Sequence, residues 1–300
     1  MLERLWIYQR ERFPLHAFGL LAFMLGYAAV AFSSLLRGAA APRAGIVLAA
    51  AASALFVFVQ MRVLDEFKDH EDDTQYRPYR PVPRGLVTLR ELLWVLVIAG
   101  IGQIALALAV DARLLWPLAA VWGYMALMTA EFFVPQWLRA RPFAYIVTHN
   151  PVGLLISIYL TAFEWLPSGA APHPAIALLA VTSLFDTTLL EIGRKIRAPQ
   201  DEEPGVVTYS AAWGRNLAVA AWLVVFLLAT VAGWLAARQI GFAVAFAVLM
   251  VPVGIAAAVC CWRYLRKPDR RRAQLIEGIS GVGTFVLYIA LGPIPLFFAH

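Results

Sequence analysis

Polar and apolar positions alternate along this chain on the scale of whole helices. Blocks of about 20 nearly uninterrupted apolar residues are separated by short polar segments, and a block of that length crosses a hydrocarbon layer about 30 Å thick as an α-helix. Nine such blocks are predicted, at about 15–36, 45–64, 89–110, 114–134, 143–163, 175–192, 217–237, 240–262 and 276–298. Thr88 with Glu91 forms a capping-box pattern before the third block, and the short DAR turn at 111–113 makes the third and fourth a helical hairpin. Asn150 and Pro151 fall in the middle of the fifth, which predicts a kink that frees backbone groups toward a cavity or a neighbouring helix. Two polar stretches are longer than the rest, about 65–88 and 193–214, and they follow the second and sixth blocks.

Composition fixes the class. Hydrophobic residues make up 61% and charged residues 15%, with mean hydropathy +0.71, against roughly 25% charged in soluble domains. An all-α integral membrane protein with a single domain over 1–300 is expected. With the N-terminus in the cytoplasm, the segments at 1–14, 62–90, 139–141, 194–215 and 263–272 lie inside and carry 21 of the 25 Lys and Arg residues. That bias follows the positive-inside rule and places both long polar stretches in the cytoplasm. The net charge of +6 is thereby read as a topology signal, and nucleic acid is excluded as a partner; the bilayer is the expected one. A multi-pass protein of the bacterial inner (cytoplasmic) membrane fits this pattern. The charged start MLERLWIYQRERFP, before an apolar block too long for a signal-peptide core, is read as retained. Cys260 and Cys261 are adjacent within an apolar block, so neither a disulfide framework nor a zinc spacing is present.

The first polar stretch, DEFKDHEDDTQYRPYRPVPRG, carries the candidate chemistry. If Asp65 continues a helix, Asp69 at i+4 and Asp72 at i+7 share its face, and three carboxylates without His or Cys suit a hard cation such as Mg²⁺. Arg77, Arg80 and Arg84 follow, and arginine forks match phosphate oxygens. Acids beside arginines point to a metal diphosphate; the competing reading is a solvated loop. In the second stretch Glu191, Arg194 and Lys195 stand at i, i+3 and i+4, which suits an intrahelical ion pair as well as a ligand site. Asp201, Glu202 and Glu203 crowd three carboxylates, an arrangement that a second cation relieves. Asp186 lies about 140° around an ideal helix from Glu191, so the two cannot share one ion, and Glu191 is preferred. Within the blocks, Glu131, His149 and Asn150 are costly in lipid and are expected to face the bundle interior. Glu131 and His149 either pair with each other or supply a base, His149 being the group that titrates near neutrality.

The residues DEFKDHEDD with RPYRPVPRG, and more weakly EIGRKIRAPQDEEPGVVTYSAAWG, resemble the two acidic motifs of the UbiA superfamily of intramembrane prenyltransferases. The resemblance covers the whole plan of spans and implies a bundle of nine transmembrane helices with acidic cytoplasmic loops after helices two and six. Departures are specific. Met61 and Arg62 occupy the places of the first motif's leading Asn-Asp, while Lys195 and Ala198 occupy places where the second usually has acids, which resume at Asp201 and Glu202. The resemblance implies an allylic isoprenoid diphosphate as substrate and Mg²⁺ as cofactor, held by Asp65 and Asp69 with Glu191 and Asp201 or Glu202 opposite. Arg80, Arg194 and Lys195 would bind remaining phosphate oxygens. Basic residues at 62 and 195 would share the neutralisation and weaken the dependence on Mg²⁺. The prenyl group passes to a lipophilic acceptor, aromatic or lipid, or the same diphosphate is cyclised. Phe56, Phe58, Tyr124, Phe132, Phe133, Tyr145 and Tyr159 are candidates to surround the cation, with plain packing as their ordinary role. A transporter is the rival class, motivated by the broken fifth helix and the buried polar groups, but most acids here lie in loops and not at the midplane.

Overall fold

The computed structural model describes residues 2–298, and among them every regular element is helical. Ahead of the first predicted span, the polar N-terminus forms its own helix α1 (Leu2–Arg12). The spans follow as α2 (Leu15–Leu36) and α3 (Ala44–Lys68), then a short α4 (His70–Tyr76), α5 (Leu89–Val110) and α6 (Leu115–Thr129). Next come α7 (Pro135–Arg139), α8 (Pro142–His149), α9 (Pro151–Trp165), α10 (Ile176–Arg194) and the single turn α11 (Tyr209–Ala212). The chain closes with α12 (Arg215–Gln239), α13 (Ala243–Arg266), α14 (Arg270–Leu291) and α15 (Pro293–Phe298).

Eight helices among the described residues are long and apolar enough to cross a membrane, with α8–α9 and α14–α15 each counted as one. The predicted fourth span is the exception, because α6 has only 15 residues. It stops in a turn where Glu131, Phe132 and Phe133 all have positive φ, at 45°, 51° and 63°. Three successive non-glycine residues in the left-handed region cost about 1–2 kcal/mol each and persist only where their surroundings hold them. The capping box on α5 forms as expected, Glu91 N–H donating to Thr88 Oγ1 at 3.2 Å and Thr88 N–H to Glu91 Oε2 at 2.9 Å. The Asn150–Pro151 break is also present: α8 ends at His149, and α9 starts with Pro151 in its first turn.

Helix packing encloses a central space. α2 packs on α3, α9 and α14; α10 packs on α9, α12 and α14; α6 packs on α9. The α2–α3 approach depends on Gly26, where a Cβ would fall 2.6 Å from the Ala51 amide nitrogen. α1 lies against the bundle through a separate small core in which Tyr8 meets Val63, Val82, Val87 and Leu92.

Candidate active site

α2, α3, α6, α9, α10 and α14 surround a cavity of about 950 Å³. Its depth is apolar, lined by residues such as Met24, Phe58, Met125, Ile156 and Phe285. Its mouth is charged, with Arg12, Arg62, Asp65, Lys68, Glu191, Arg194 and Glu277 on the wall. An amphiphile with an anionic head and a hydrocarbon tail fits that gradient.

The mouth is built from buried ion pairs. Glu66, 2% exposed, accepts from Arg12 Nε at 2.8 Å and from an Arg62 terminal nitrogen at 3.0 Å, and Tyr8 OH donates to it at 3.4 Å. One carboxylate therefore ties α1 to α3 and points two guanidinium groups at the cavity. Arg62 Nε is buried with no partner among the described residues. Asp65 lines the same wall, its side chain 45% exposed, with Arg62 at 3.9 Å as its ion-pair contact. Lys68 donates to Tyr145 OH at 2.8 Å and stands 3.8 Å from Glu131. Across the mouth Glu191 is held by Arg194 and by Lys195 at 2.8 Å, and Tyr209 OH donates to it at 3.4 Å.

The expected single face of three acids does not form, because α3 ends at Lys68 and Asp69 becomes its C-terminal cap, its N–H bonded to the Asp65 carbonyl at 2.9 Å. Asp69 is off the cavity wall and has no side-chain partner among the described residues. Burial, then the neighbouring Asp65 and Asp73, raise its pKa against the opposing pull of Lys68. Asp72 turns outward to Arg139 at 3.3 Å. Asp73 occupies the interior, 2% exposed, with Arg77 at 2.5 Å and Arg80 at 2.6 Å. Arg84 pairs with Glu11 at 2.8 Å and donates to the Tyr79 carbonyl. None of these three arginines lines the cavity.

The second loop is likewise self-engaged. Glu202 accepts from Thr208 at 2.5 Å and Ser210 at 2.7 Å, and the Asp201 carbonyl accepts from Arg197 at 3.4 Å. The two loops clasp one another: Tyr79 OH donates to Glu203 at 2.9 Å, and the Tyr76 ring lies over Gly205. No three His, Cys, Asp or Glu side chains among the described residues converge closely enough to hold an ion by themselves.

Asp186 sits apart from the cavity wall, accepting from Thr284 at 2.7 Å. Glu131 and His149 are both buried, but the expected pair is replaced by Lys68–Glu131, and His149 Nδ1 is bonded within its own helix. Of the candidate aromatics, Phe58 and Tyr145 line the cavity. Tyr159 is committed to Ser53 at 2.7 Å, and Phe133 faces outward, 78% exposed. Sequence reasoning missed Arg12, Glu66 and Lys68. Lys68 was readable as the residue at i+3 from Asp65, whereas Arg12 reaches the mouth only because α1 folds back on α3.

Comparisons with known proteins agree on one fold. A family model, the UbiA prenyltransferase family, matches residues 22–281. The apo structure of a UbiA homologue from Aeropyrum pernix K1 is similar with a TM-score of 0.66 and 15% identity, covering 88% of this chain and 96% of that one. A structure from work on digeranylgeranylglyceryl phosphate synthase in membranes gives a TM-score of 0.62 at 18% identity, over 96% of this chain and 97% of that one. A UbiA homologue from Archaeoglobus fulgidus bound to DMAPP and Mg²⁺ gives 0.57 at 13% identity, over 95% and 98%. At these identities the likeness is one of fold. No curated protein matches the chain.

Proposed function

Because the chain belongs to the UbiA prenyltransferase family, we propose that it ionises an allylic isoprenoid diphosphate at the cytoplasmic mouth of the cavity and transfers the prenyl group to a lipophilic acceptor. The observation that carries this reading is the wall of Arg12, Arg62, Lys68 and Arg194 at the entrance of an otherwise apolar cavity. Ionisation of an allylic diphosphate places extra negative charge on the leaving group, and preorganised cations there stabilise the transition state more than the ground state. Arg62 carries an unpartnered N–H, and Lys68 has two ammonium hydrogens left after its bond to Tyr145. Arg77, Arg80 and Arg84 are assigned to holding the first loop in shape, and Lys195, off the cavity wall, to holding Glu191 in place.

Mg²⁺ is bound with DMAPP or GPP in the Archaeoglobus fulgidus homologue. Here the residues suit one ion. Asp65 is half-exposed on the wall with only a distant cation, and Asp69, four residues on, is half-buried and has no side-chain partner among the described residues. Glu191 already has two cations on it. Asp65 on the cavity wall would hold Mg²⁺, with Asp69 beside it just off the wall as the second carboxylate, and the ion would supply charge neutralisation to the diphosphate. Asp72 and Glu202, engaged elsewhere, and Asp201, off the cavity wall, are not assigned to it. Arg62 covers part of what a second ion would supply, which predicts a shallow, non-cooperative dependence on Mg²⁺.

The test is diphosphate release from radiolabelled geranyl, farnesyl and geranylgeranyl diphosphate by the protein in lipid nanodiscs, with and without Mg²⁺, beside Asp65→Ala and Arg194→Met. Loss of release in both variants is the expected result. Wild-type protein that consumes none of the three donors would overturn the assignment, and an acceptor-free cyclic product would replace transfer by cyclisation.

A further inference from the structure

His149 is the buried polar group that the diphosphate site leaves unused. Its ring lines the cavity, 5% exposed, where the charged mouth gives way to the apolar depth. Nδ1 lies 3.1 Å from the Tyr145 carbonyl and 3.1 Å from Thr148 Oγ1. A carbonyl oxygen can only accept. Thr148 Oγ1 already donates along its own helix, to the Ala144 and Tyr145 carbonyls at 2.9 and 3.1 Å. Nδ1 therefore carries the proton, and Nε2 presents a lone pair. Nε2 is buried and has no hydrogen-bond partner among the described residues.

The ring is held by more than its own helix. It stacks on Tyr145 with centroids 3.8 Å apart and planes at 11°, and meets Phe132 edge-on at 5.6 Å. Phe132 reaches it from the left-handed turn that ends α6. Tyr124 OH donates to the Thr148 carbonyl at 2.7 Å and fixes the end of α8. The charged groups nearest the ring are Lys68 on α3 and Glu191 on α10, with the Met128 carbonyl on α6 also close; Glu131 stands behind Lys68. A proton taken up on the ring would have the Glu191 carboxylate near it to balance the charge.

We propose that Nε2 of His149 is the proton acceptor for the second substrate, and that this substrate is an apolar molecule bearing an O–H group that donates to Nε2. The inference rests on the prenyl-transfer reading above and names the acceptor class that reading leaves open. As the C1–O bond to the diphosphate breaks, its electron pair leaves with the diphosphate. A lone pair of the acceptor oxygen forms the new C1–O bond, and the O–H proton moves to Nε2. The proton later passes to the released diphosphate, so the products are a prenyl ether and hydrogen diphosphate.

The experiment uses the full chain in nanodiscs with radiolabelled farnesyl diphosphate and a bacterial membrane lipid extract, untreated or exhaustively O-methylated, and reads diphosphate release and labelled lipid separately. Wild type is expected to label the untreated extract and to fall at least about 10-fold on the methylated one. His149→Ala is expected to lose at least about 100-fold in transfer, the lower range for a general base, and to recover about 10-fold with added imidazole. His149→Gln serves as the check on folding: it should bind the unreactive farnesyl thiolodiphosphate within threefold of wild type yet show neither transfer nor rescue. Equal labelling of the methylated extract, a His149→Ala enzyme within threefold of wild type, or a loss that imidazole does not restore would overturn the proposal. Diphosphate release with no acceptor-dependent product would overturn it while leaving the prenyl diphosphate reading intact, whereas absence of release from wild type with geranyl, farnesyl and geranylgeranyl diphosphate alike defeats that reading and this inference with it.

Discussion

Asp73 separates the two roles open to the arginines of the first loop. Its carboxylate, 2% exposed, faces Arg77 at 2.5 Å, Arg80 at 2.6 Å and Arg12 at 4.0 Å, and the three arginine side chains are only 14–16% exposed. Asp73→Asn removes the charge and keeps the shape, leaving guanidinium groups that water reaches poorly. Breaking a buried pair in this way costs about 3–5 kcal/mol, and the residual exposure of the arginines argues for the lower end, about 3 kcal/mol. The first loop is held to the rest of the chain by these pairs, by its clasp to the second loop and by Val82 and Val87 in the small core, so losing one set of contacts should appear as local opening. A shift of about 3 kcal/mol is roughly a 10²-fold change in the opening equilibrium. Amide hydrogen exchange over 70–86 should accelerate by that factor, while exchange in α9 and α10 stays unchanged. Exchange within threefold of wild type would refute the structural assignment and return Arg77 and Arg80 to the diphosphate.

Other perturbations test separate parts of the mouth. Because burial holds the pKa of Asp69 above its usual range, ionisation costs stability above the raised pKa, and the cost is absent below the unfolded value of about 3.9. Asp69→Asn should therefore raise the unfolding temperature at pH 7 in the absence of divalent ions, with the gain shrinking toward pH 4. Mg²⁺ should stabilise wild type more than the variant, and equal shifts would remove Asp69 from the ion site. Arg62→Met and Arg194→Met should each lower kcat/KM for diphosphate release by about 10–100-fold, the loss of one or two charge-assisted hydrogen bonds; steady-state kinetics in nanodiscs reads this directly. Gly205→Ala places a Cβ against the Tyr76 ring at a φ of 73° and should loosen the clasp by at least about 1–2 kcal/mol, seen as faster exchange in both loops together.

What could be read in the sequence and what could not divide along a physical line. Span positions are fixed by burial in lipid, which every residue in a block reports, and the Asn150–Pro151 break is fixed by a missing N–H. Both were legible from local chemistry except at the predicted fourth span, where an apolar block of the right length is cut to a 15-residue helix by the turn at Glu131–Phe133. The acidic face was not, because the i, i+4, i+7 argument assumes that a helix continues, and neither Gly nor Pro marks the stop at Asp69. Past the stop, Asp73 turns inward to meet Arg77 and Arg80 of its own segment and, from across the fold, Arg12, so the helix is interrupted just ahead of a buried charge cluster. The same reasoning applies at Glu131–Phe133. No glycine announces three left-handed residues, yet the turn brings Glu131 to Lys68 and Phe132 to His149. Each contact is long-range in sequence and outweighs a local preference worth about 1–2 kcal/mol per residue. The charged mouth is thus assembled from residues whose neighbours in the chain argue for something else. For that reason Arg12, on a helix outside the bundle, belongs with Asp65 and Glu191 at the site, and Arg84, inside the motif-bearing loop, does not.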